Sequence, residues 1–284
     1  MSQEQTKQHF DYRWQQDPVT GEEVEKRARD RIIRNGWTVE EFEEWVKGKK
    51  VLDVGCGMGW WTDYVDDLNG EAEAVGIDLS EGAIEQGHEL GIENIHVGDM
   101  SNLDFSDEEF DYIAVENCLH QTPKPEEYFQ HIVTKLKPGG TITLYVYKEK
   151  SRIREAADTL IRDETVDMDR EDVLQFAEQM SGVGEELYNL DEEITVPDIP
   201  LLGIEGGTYT VHEFVYRHLL HCYYDWDGKG QEYSVLCNFN WFNPEYTFRF
   251  SESELRSMFD EAGLEVVHFN EQMSGHSVRA EKRE

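Results

Sequence analysis

Basic residues are scarce in this 284-residue chain: 26 Lys and Arg stand against 61 Asp and Glu, a formal net charge of −35. Proteins that grip a phosphate backbone show a basic stripe, and none is visible, so a nucleic-acid partner is excluded. Long apolar runs are missing too. No stretch approaches the roughly 18 apolar residues of a membrane span, so no membrane association is expected and the chain reads as soluble. The first residues, MSQEQTKQHF, lack the basic segment, apolar stretch and small-residue cleavage site of a secretory signal, and a cytoplasmic location is expected. Cysteine is sparse: Cys56, Cys118, Cys222 and Cys237 form no CxxC pair, which reads as reduced thiols and no structural disulfide.

The acid surplus is the other side of the missing cations. Self-repulsion of this size strains a fold in dilute buffer, whereas near 1 M salt the Debye length shrinks to about 3 Å and the same surface stays hydrated and tolerable. A salt-loaded, halophilic cytoplasm is the preferred explanation. An acidic mimic of nucleic acid or a calcium binder competes with it, but the acids are scattered through folded-looking segments rather than gathered in a tail. Asp167, Asp169 and Asp172 lack the glycine and terminal glutamate of a calcium loop, and His218, His221 and Cys222 lack a fourth ligand at recognised spacing. No metal site is expected.

Along residues 47–150 short apolar blocks alternate with blocks of helical periodicity, the pattern of βαβ units around a parallel sheet. Strands are expected at 50–54, 73–77, 94–97, 111–116 and 141–147, and helices at 60–68, 83–90 and 125–136, the last stopped by Pro138-Gly139-Gly140. From residue 151 to 243 acidic helix-like segments mix with Pro197, Pro200 and Gly203, then with a run of aromatic residues and histidines. This reads as an inserted substrate cap. The core returns over 244–284, where Ser251 and Glu254 make a capping box for a helix ended by Gly263, followed by strands at 264–269 and 277–280. Residues 1–46 read as an N-terminal helical arm. The expected fold is therefore α/β, Rossmann-like and doubly wound, with a seven-stranded mostly parallel sheet, an antiparallel end, an arm and a cap.

The strongest local pattern is Asp53-Val54-Gly55-Cys56-Gly57-Met58-Gly59, a strand that ends in a loop with glycine at every second position, where the backbone is free to take positive φ and approach a ligand. A dinucleotide-binding G-x-G-x-x-G loop needs a small residue at position 60, and Trp60 stands there. Asp78 ends the second strand 19 residues beyond Gly59, where a carboxylate can accept both hydroxyls of a ribose. Asp99 follows the third strand, in reach of an adenine amino group. Ligands of open α/β sheets bind outside the carboxyl ends of the strands at the topological switch point, so these groups converge.

Together with Gly76-Ile77-Asp78-Leu79-Ser80, Gly98-Asp99-Met100, Phe110-Asp111-Tyr112-Ile113 and Leu136-Lys137-Pro138-Gly139-Gly140, these residues resemble the class I S-adenosylmethionine-dependent methyltransferases, strongly over 47–148 and more weakly over 244–284. The resemblance implies S-adenosylmethionine as cofactor and S-adenosylhomocysteine as product, with Gly55, Gly57 and Gly59 beside the methionine part. It also implies Asp78 at the ribose, Leu79 on the adenine face, and Asp99 with Met100 at the adenine edge. A narrower resemblance, to methyltransferases of mostly unassigned substrate, rests on Phe10-Asp11-Tyr12-Arg13-Trp14 and Asn240-Trp241-Phe242-Asn243-Pro244-Glu245-Tyr246. Asp11 stands where that group has glycine, and Leu119-His120-Gln121 where it has Leu-His-His.

Methyl transfer from a sulfonium is an in-line displacement, so positioning can supply much of the acceleration and a general base is optional. His120 is a candidate base, or else packs or binds an acceptor oxygen. Glu116 and Asn117 are expected beside the methionine part or the acceptor. Trp60 either shields the sulfonium or, with Trp61, enters the core. Tyr12 and Trp14 either close over the cofactor or pack as a surface arm. The acceptor, a small molecule, is expected against His120, Tyr147, His212, Trp241 and Tyr246. The rival readings are a nicotinamide-dependent oxidoreductase, disfavoured by Trp60 and Asp99-Met100, and a non-catalytic binder of the same cofactor.

Overall fold

The structure is a computed structural model that describes residues 4–16, 19–68, 72–226 and 228–284. The expected arm is thus described over 4–16 and 19–46; its remaining positions, and residue 227 of the expected cap, lie outside the described residues. In chain order the elements are α1 (Glu4–Gln16), α2 (Glu22–Arg34), α3 (Val39–Trp45), β1 (Lys50–Val54), α4 (Trp60–Asp66), β2 (Glu73–Asp78), α5 (Glu81–Glu89), β3 (Ile95–Val97), β4 (Phe110–Glu116), α6 (Pro125–Thr134), β5 (Leu136–Tyr147), α7 (Arg152–Thr165), α8 (Arg170–Tyr188), β6 (Glu193–Val196), β7 (Gly207–Thr210), α9 (Val211–His218), α10 (Gly230–Phe242), α11 (Glu252–Glu261), β8 (Leu264–Glu271) and β9 (Gly275–Lys282). They divide into two compact units, Met1–Lys148 with Phe248–Glu284, and Glu149–Thr247.

The first unit is built on a seven-stranded sheet in the order β3-β2-β1-β4-β5-β9-β8. The first five strands run parallel, and β9 pairs antiparallel with both β5 and β8. This is the expected mostly parallel sheet with an antiparallel end. The chain winds outward from β1 through β2 to β3, then crosses back to β4, which puts the switch point between β1 and β4.

Period-two alternation distributes the strand residues between two layers. Leu52, Val54, Ile113, Val115, Ile142, Leu144 and Val146 pack with Phe129 and Ile132 of α6 and Leu255 and Phe259 of α11. Val51, Ala74, Tyr112 and Ala114 face Ala28 and Ile32 of α2, Phe42 of α3 and Trp61 of α4. Each fully buried ring or branched chain contributes on the order of 1.5–3 kcal/mol, so the two layers dominate this unit's stability. The capping box expected at Ser251 is present: Glu254 N–H donates to Ser251 Oγ at 3.3 Å and Ser251 N–H to Glu254 Oε2 at 2.8 Å.

One local expectation fails. Pro138-Gly139-Gly140 does not separate a helix from a strand: α6 ends at Thr134, and β5 already begins at Leu136, paired with Phe110. The register shifts between Phe110 and Tyr112, and Gly139 takes φ +71°. The Pro-Gly-Gly segment is a bulge, where a missing N–H and a left-handed residue are tolerated within a strand.

The second unit has its own construction. Helices α7, α8, α9 and α10 accompany the antiparallel hairpin of β6 and β7, whose connection carries Pro197, Pro200 and Gly203; no strand was expected in this stretch. Among the described residues no helix is long and apolar enough to cross a membrane.

Candidate active site at the strand ends

The three loop glycines all adopt left-handed backbone, with φ of +73°, +59° and +86° at Gly55, Gly57 and Gly59, which a side chain would strain. Gly57 has a second reason to be glycine, since a Cβ there would collide with the Trp14 indole. The loop is tied to β2 by the N–H groups of Gly55 and Cys56, which donate to the Ile77 carbonyl at 2.8 and 2.9 Å.

Asp78 stands beside this loop at the end of β2. Its Oδ2 accepts the Gly57 N–H and its Oδ1 the Ser80 N–H, both at 2.8 Å. Burial pushes its carboxyl up to about 6, against the pull of those two N–H groups, with the nearby charges of Asp53 and Asp11 adding to the rise. Leu79, half-buried, follows directly. Asp99 lies two residues past β3, its Oδ1 accepting the Ser101 N–H at 2.8 Å, and Met100 packs against the apolar core. The glycine loop, Asp78, Leu79, Asp99 and Met100 thus gather at neighbouring ends of β1, β2 and β3.

A polar cluster lies on the α2 side of the same strand ends. Arg31 Nη2 donates to Asp53 Oδ1 at 3.2 Å, and Thr62 Oγ1 to Asp53 Oδ2 at 3.1 Å. Arg34 Nη2 donates to Glu116 Oε2 at 2.5 Å and Asn35 Nδ2 to Glu116 Oε1 at 3.1 Å. Burial alone would raise the Glu116 carboxyl, but Arg34 and Arg31 outweigh it and hold it below the usual carboxylate range. The Arg31 guanidinium lies 4.2 Å from the Trp61 ring centroid and 5.9 Å from that of Trp60. Trp61 is in the core and Trp60 is half-buried. Asp53, expected beside a ligand, is buried, with each oxygen accepting from one of these partners. Asn117 is exposed with φ +61°, its N–H donating to the Tyr145 carbonyl at 3.0 Å.

His120 sits in the 3-10 turn after β4, fully buried, its ring centroid 4.0 Å from that of Tyr147. Neither ring nitrogen has a hydrogen-bond partner among the described residues. Burial drives its pKa down to about 3, so the imidazole is neutral at physiological pH. On the arm, Tyr12 and Trp14 are half-buried, and Trp14 lies on the glycine loop.

The remaining candidates belong to the second unit. His212 is buried, hydrogen-bonded through Nε2 to the Cys222 carbonyl at 2.9 Å and stacked on Trp226 at 4.9 Å. Trp241 is buried and stacked on His221 at 4.6 Å and 6°, while Tyr246 is half-buried. His221 is engaged by Arg154 Nη2 at 2.6 Å. Among the described residues no group of three or more His, Cys, Asp or Glu side chains could hold a metal ion.

Residues 51–140 match a family model described as "Methyltransferase domain". That stretch contains β2, β3 and β4 whole, with most of β1 and the first residues of β5. A demethylmenaquinone methyltransferase of Staphylococcus epidermidis is 36% identical over 101 residues, 34% of this chain and 42% of that enzyme. The chain spans from about a quarter to under half the length of the first curated relatives it matches, 26% in one and 42% in another. Among solved structures, a chain from the Haloferax volcanii complex of the Trm112 methyltransferase activator with a methyltransferase superposes at a TM-score of 0.51 with 16% identity, covering 97% of this chain and 98% of that one. The 1,6-didemethyltoxoflavin-N1-methyltransferase of Burkholderia thailandensis, solved with bound 1,6-didemethyltoxoflavin and S-adenosylhomocysteine, superposes at 0.50 with 14% identity, covering 99% and 88%. At these identities the superpositions establish the fold.

Sequence reasoning passed over several residues at these strand ends. Arg31, Arg34 and Asn35 look like the solvent face of an amphipathic helix, yet Arg31 is buried and all three reach the strand ends. A faint signal existed, because two arginines three positions apart share a helix face in a chain where cations are rare. Asp11 and Ser80, joined at 2.6 Å across 69 residues, carried no local signature.

Proposed function

We propose that this protein is an S-adenosylmethionine-dependent methyltransferase acting on a small, uncharged acceptor. The observation that carries the reading is the conjunction, at the switch point, of three left-handed glycines with Asp78 hydrogen-bonded to the middle one. When bound, the cofactor supplies an activated methyl group on a sulfonium. Gly55, Gly57 and Gly59 offer side-chain-free backbone to its methionine part, Asp78 accepts the ribose hydroxyls, Leu79 lies on the adenine face, and Asp99 with Met100 meets the adenine edge. Trp60 fills the position that a dinucleotide-binding loop leaves small, which disfavours a nicotinamide oxidoreductase.

For the acceptor, His120 serves as a neutral hydrogen-bonding group rather than a base. A base works best with a pKa near the working pH, and an imidazole held near 3 gives a proton from a hydroxyl or amine little driving force to move. Its orphaned nitrogens suit a ligand that both donates and accepts, since leaving such groups unpaired costs about 1–3 kcal/mol each. The aromatic residues of the second unit, His212, Trp241 and Tyr246 among them, suit a neutral partner. The demethylmenaquinone likeness is confined to about a third of the chain and does not transfer that acceptor. The acid surplus is read as adaptation to a salt-rich cytoplasm.

The test is turnover with methyl-labelled S-adenosylmethionine against a panel of neutral phenols, quinols and heteroaromatic amines. Labelled product and S-adenosylhomocysteine should form together. Saturable cofactor binding with no transfer to any acceptor, including a cell extract, would favour a non-catalytic binder.

A further inference from the structure

We propose that Asp11 is a positioning residue that latches α1 onto the first turn of α5, holding Trp14 on Gly57, so that the donor enters and leaves through opening of this latch. The proposal rests on the donor-binding reading above. Asp11 Oδ1 accepts the Ser80 hydroxyl at 2.6 Å and the Gly82 N–H at 3.0 Å. One turn earlier on α1, Lys7 Nζ pairs with Glu81 Oε1 at 2.6 Å, and one turn later Trp14 meets Gly57, with the Arg13 guanidinium 4.3 Å from the indole centroid. Spacings of four and three residues put Lys7, Asp11 and Trp14 on one helix face. The first-turn N–H groups of α5 have no intrahelical partner, and a carboxylate there is stabilised by both the hydrogen bond and the helix dipole.

These contacts close a ring around the proposed donor site. Gly57 donates to Asp78, Ser80 N–H donates to Asp78, Ser80 hydroxyl donates to Asp11, and the helix that carries Asp11 carries Trp14 back to Gly57. A ribose that engages Asp78 therefore competes for the same carboxylate that organises Ser80, the anchor of the arm. Beyond the latch the chain is pinned again at Val19, whose N–H meets Met58 Sδ at 3.1 Å within the glycine loop. Among the described residues α1 joins no sheet and has a mostly polar sequence, and the Asp11 contacts are part of what holds it to α5.

A gate and a purely structural contact differ in kinetics. If Asp11 gates the donor, Asp11→Ala speeds both association and dissociation of S-adenosylhomocysteine, each by about tenfold for the loss of roughly one charge-assisted hydrogen bond, while Kd moves less than either rate. Stopped-flow tryptophan fluorescence reads both. Asp11→Asn, which keeps an acceptor oxygen and loses the charge, falls between wild type and Asp11→Ala, and Trp14→Ala, which removes the cover with the latch intact, also speeds both rates. Hydrogen exchange of the α1 amides rises in Asp11→Ala while that of β1 and β4 is unchanged. Unaltered rates, or slower association with faster dissociation, would overturn the gate. Failure of the wild type to bind S-adenosylhomocysteine would sink the donor reading instead, and exchange of α1 would then show whether the latch alone survives.

Discussion

The two units of the molecule are stabilised in different ways. The first buries period-two stripes of Leu, Val and Ile from a seven-stranded sheet between helices. The second sets charged and amide side chains in its interior. Arg154 and Asp158, both fully buried, are joined by two hydrogen bonds of 2.9 and 2.8 Å; Arg154 also donates to the Tyr216 carbonyl and meets His221. Arg162 donates to the carbonyls of Trp241 and Pro244, each at 2.6 Å, and Asn238 bridges Ser181 and both backbone groups of Tyr223. An apolar sheet tolerates small errors of shape, whereas a buried polar network depends on every partner. The first unit keeps its buried charges, Arg31 with Asp53 and Glu116, at the strand ends outside the apolar layers, whereas the second runs them between its helices.

The largest expected effect breaks that contrast at its strongest point. Arg154→Ala leaves Asp158 buried without its cation and should destabilise the second unit by about 3–5 kcal/mol. Hydrogen exchange should show protection lost across α7 to α10 and kept in β1, β4 and β5. Uniform loss in both units would mean that they fold as one body and that the contrast carries no energetic meaning.

Next in size is the proposed donor site in the first unit. Asp78→Ala should weaken S-adenosylhomocysteine binding by about 1.5–3 kcal/mol in calorimetry, through loss of charge-assisted hydrogen bonds. Unchanged affinity in a folded variant would remove the ribose assignment.

A smaller effect follows from protonation of the same residue, whose carboxyl sits near 6 instead of 3.8. Only the carboxylate can accept both hydroxyls, so affinity should fall about tenfold as pH drops from 7 to 5, and stay flat in Asp78→Asn. Stability responds with the opposite sign. A carboxyl whose folded pKa is raised takes up a proton on folding between about 4 and 6, so its contribution favours the fold at low pH and is lost as pH rises through about 6. A pH-independent wild-type Kd would contradict the role given to this carboxylate.

The smallest local energies, spread over the whole surface, are those of the surplus acids. With a formal charge of −35, the melting temperature should climb steadily as potassium chloride rises towards molar concentration. A flat response would leave the acidity without the proposed explanation.

The contrast also explains what could be read from the chain. Strands β1, β2 and β4 announce themselves because each is a short apolar block, buried almost without interruption in β1 and β4, that ends in turn chemistry, and the glycine loop because only glycine suits three successive positive-φ positions at alternate residues. Thr141 gave the expected start of β5, yet the strand reaches back to Leu136, since a bulge through Pro138 and Gly139 uses the very residues that normally signal a break. The interior of the second unit was illegible for a plainer reason: Arg154, Asp158 and Arg162 stand at helical spacing with no motif around them, and nothing local distinguishes a charge that meets water from one that meets a buried partner. Asp11, Arg31 and Arg34 escaped in the same way, because their partners lie 69, 22 and 82 residues away.

The most direct test of the central claim is a side-by-side calorimetric titration of the purified protein with S-adenosylhomocysteine and with NAD, each repeated on Asp78→Ala. Saturable binding of S-adenosylhomocysteine at one site per chain, weakened in the variant, with no heat from NAD, is the expected result. Binding of NAD in place of S-adenosylhomocysteine, or of neither, would contradict it.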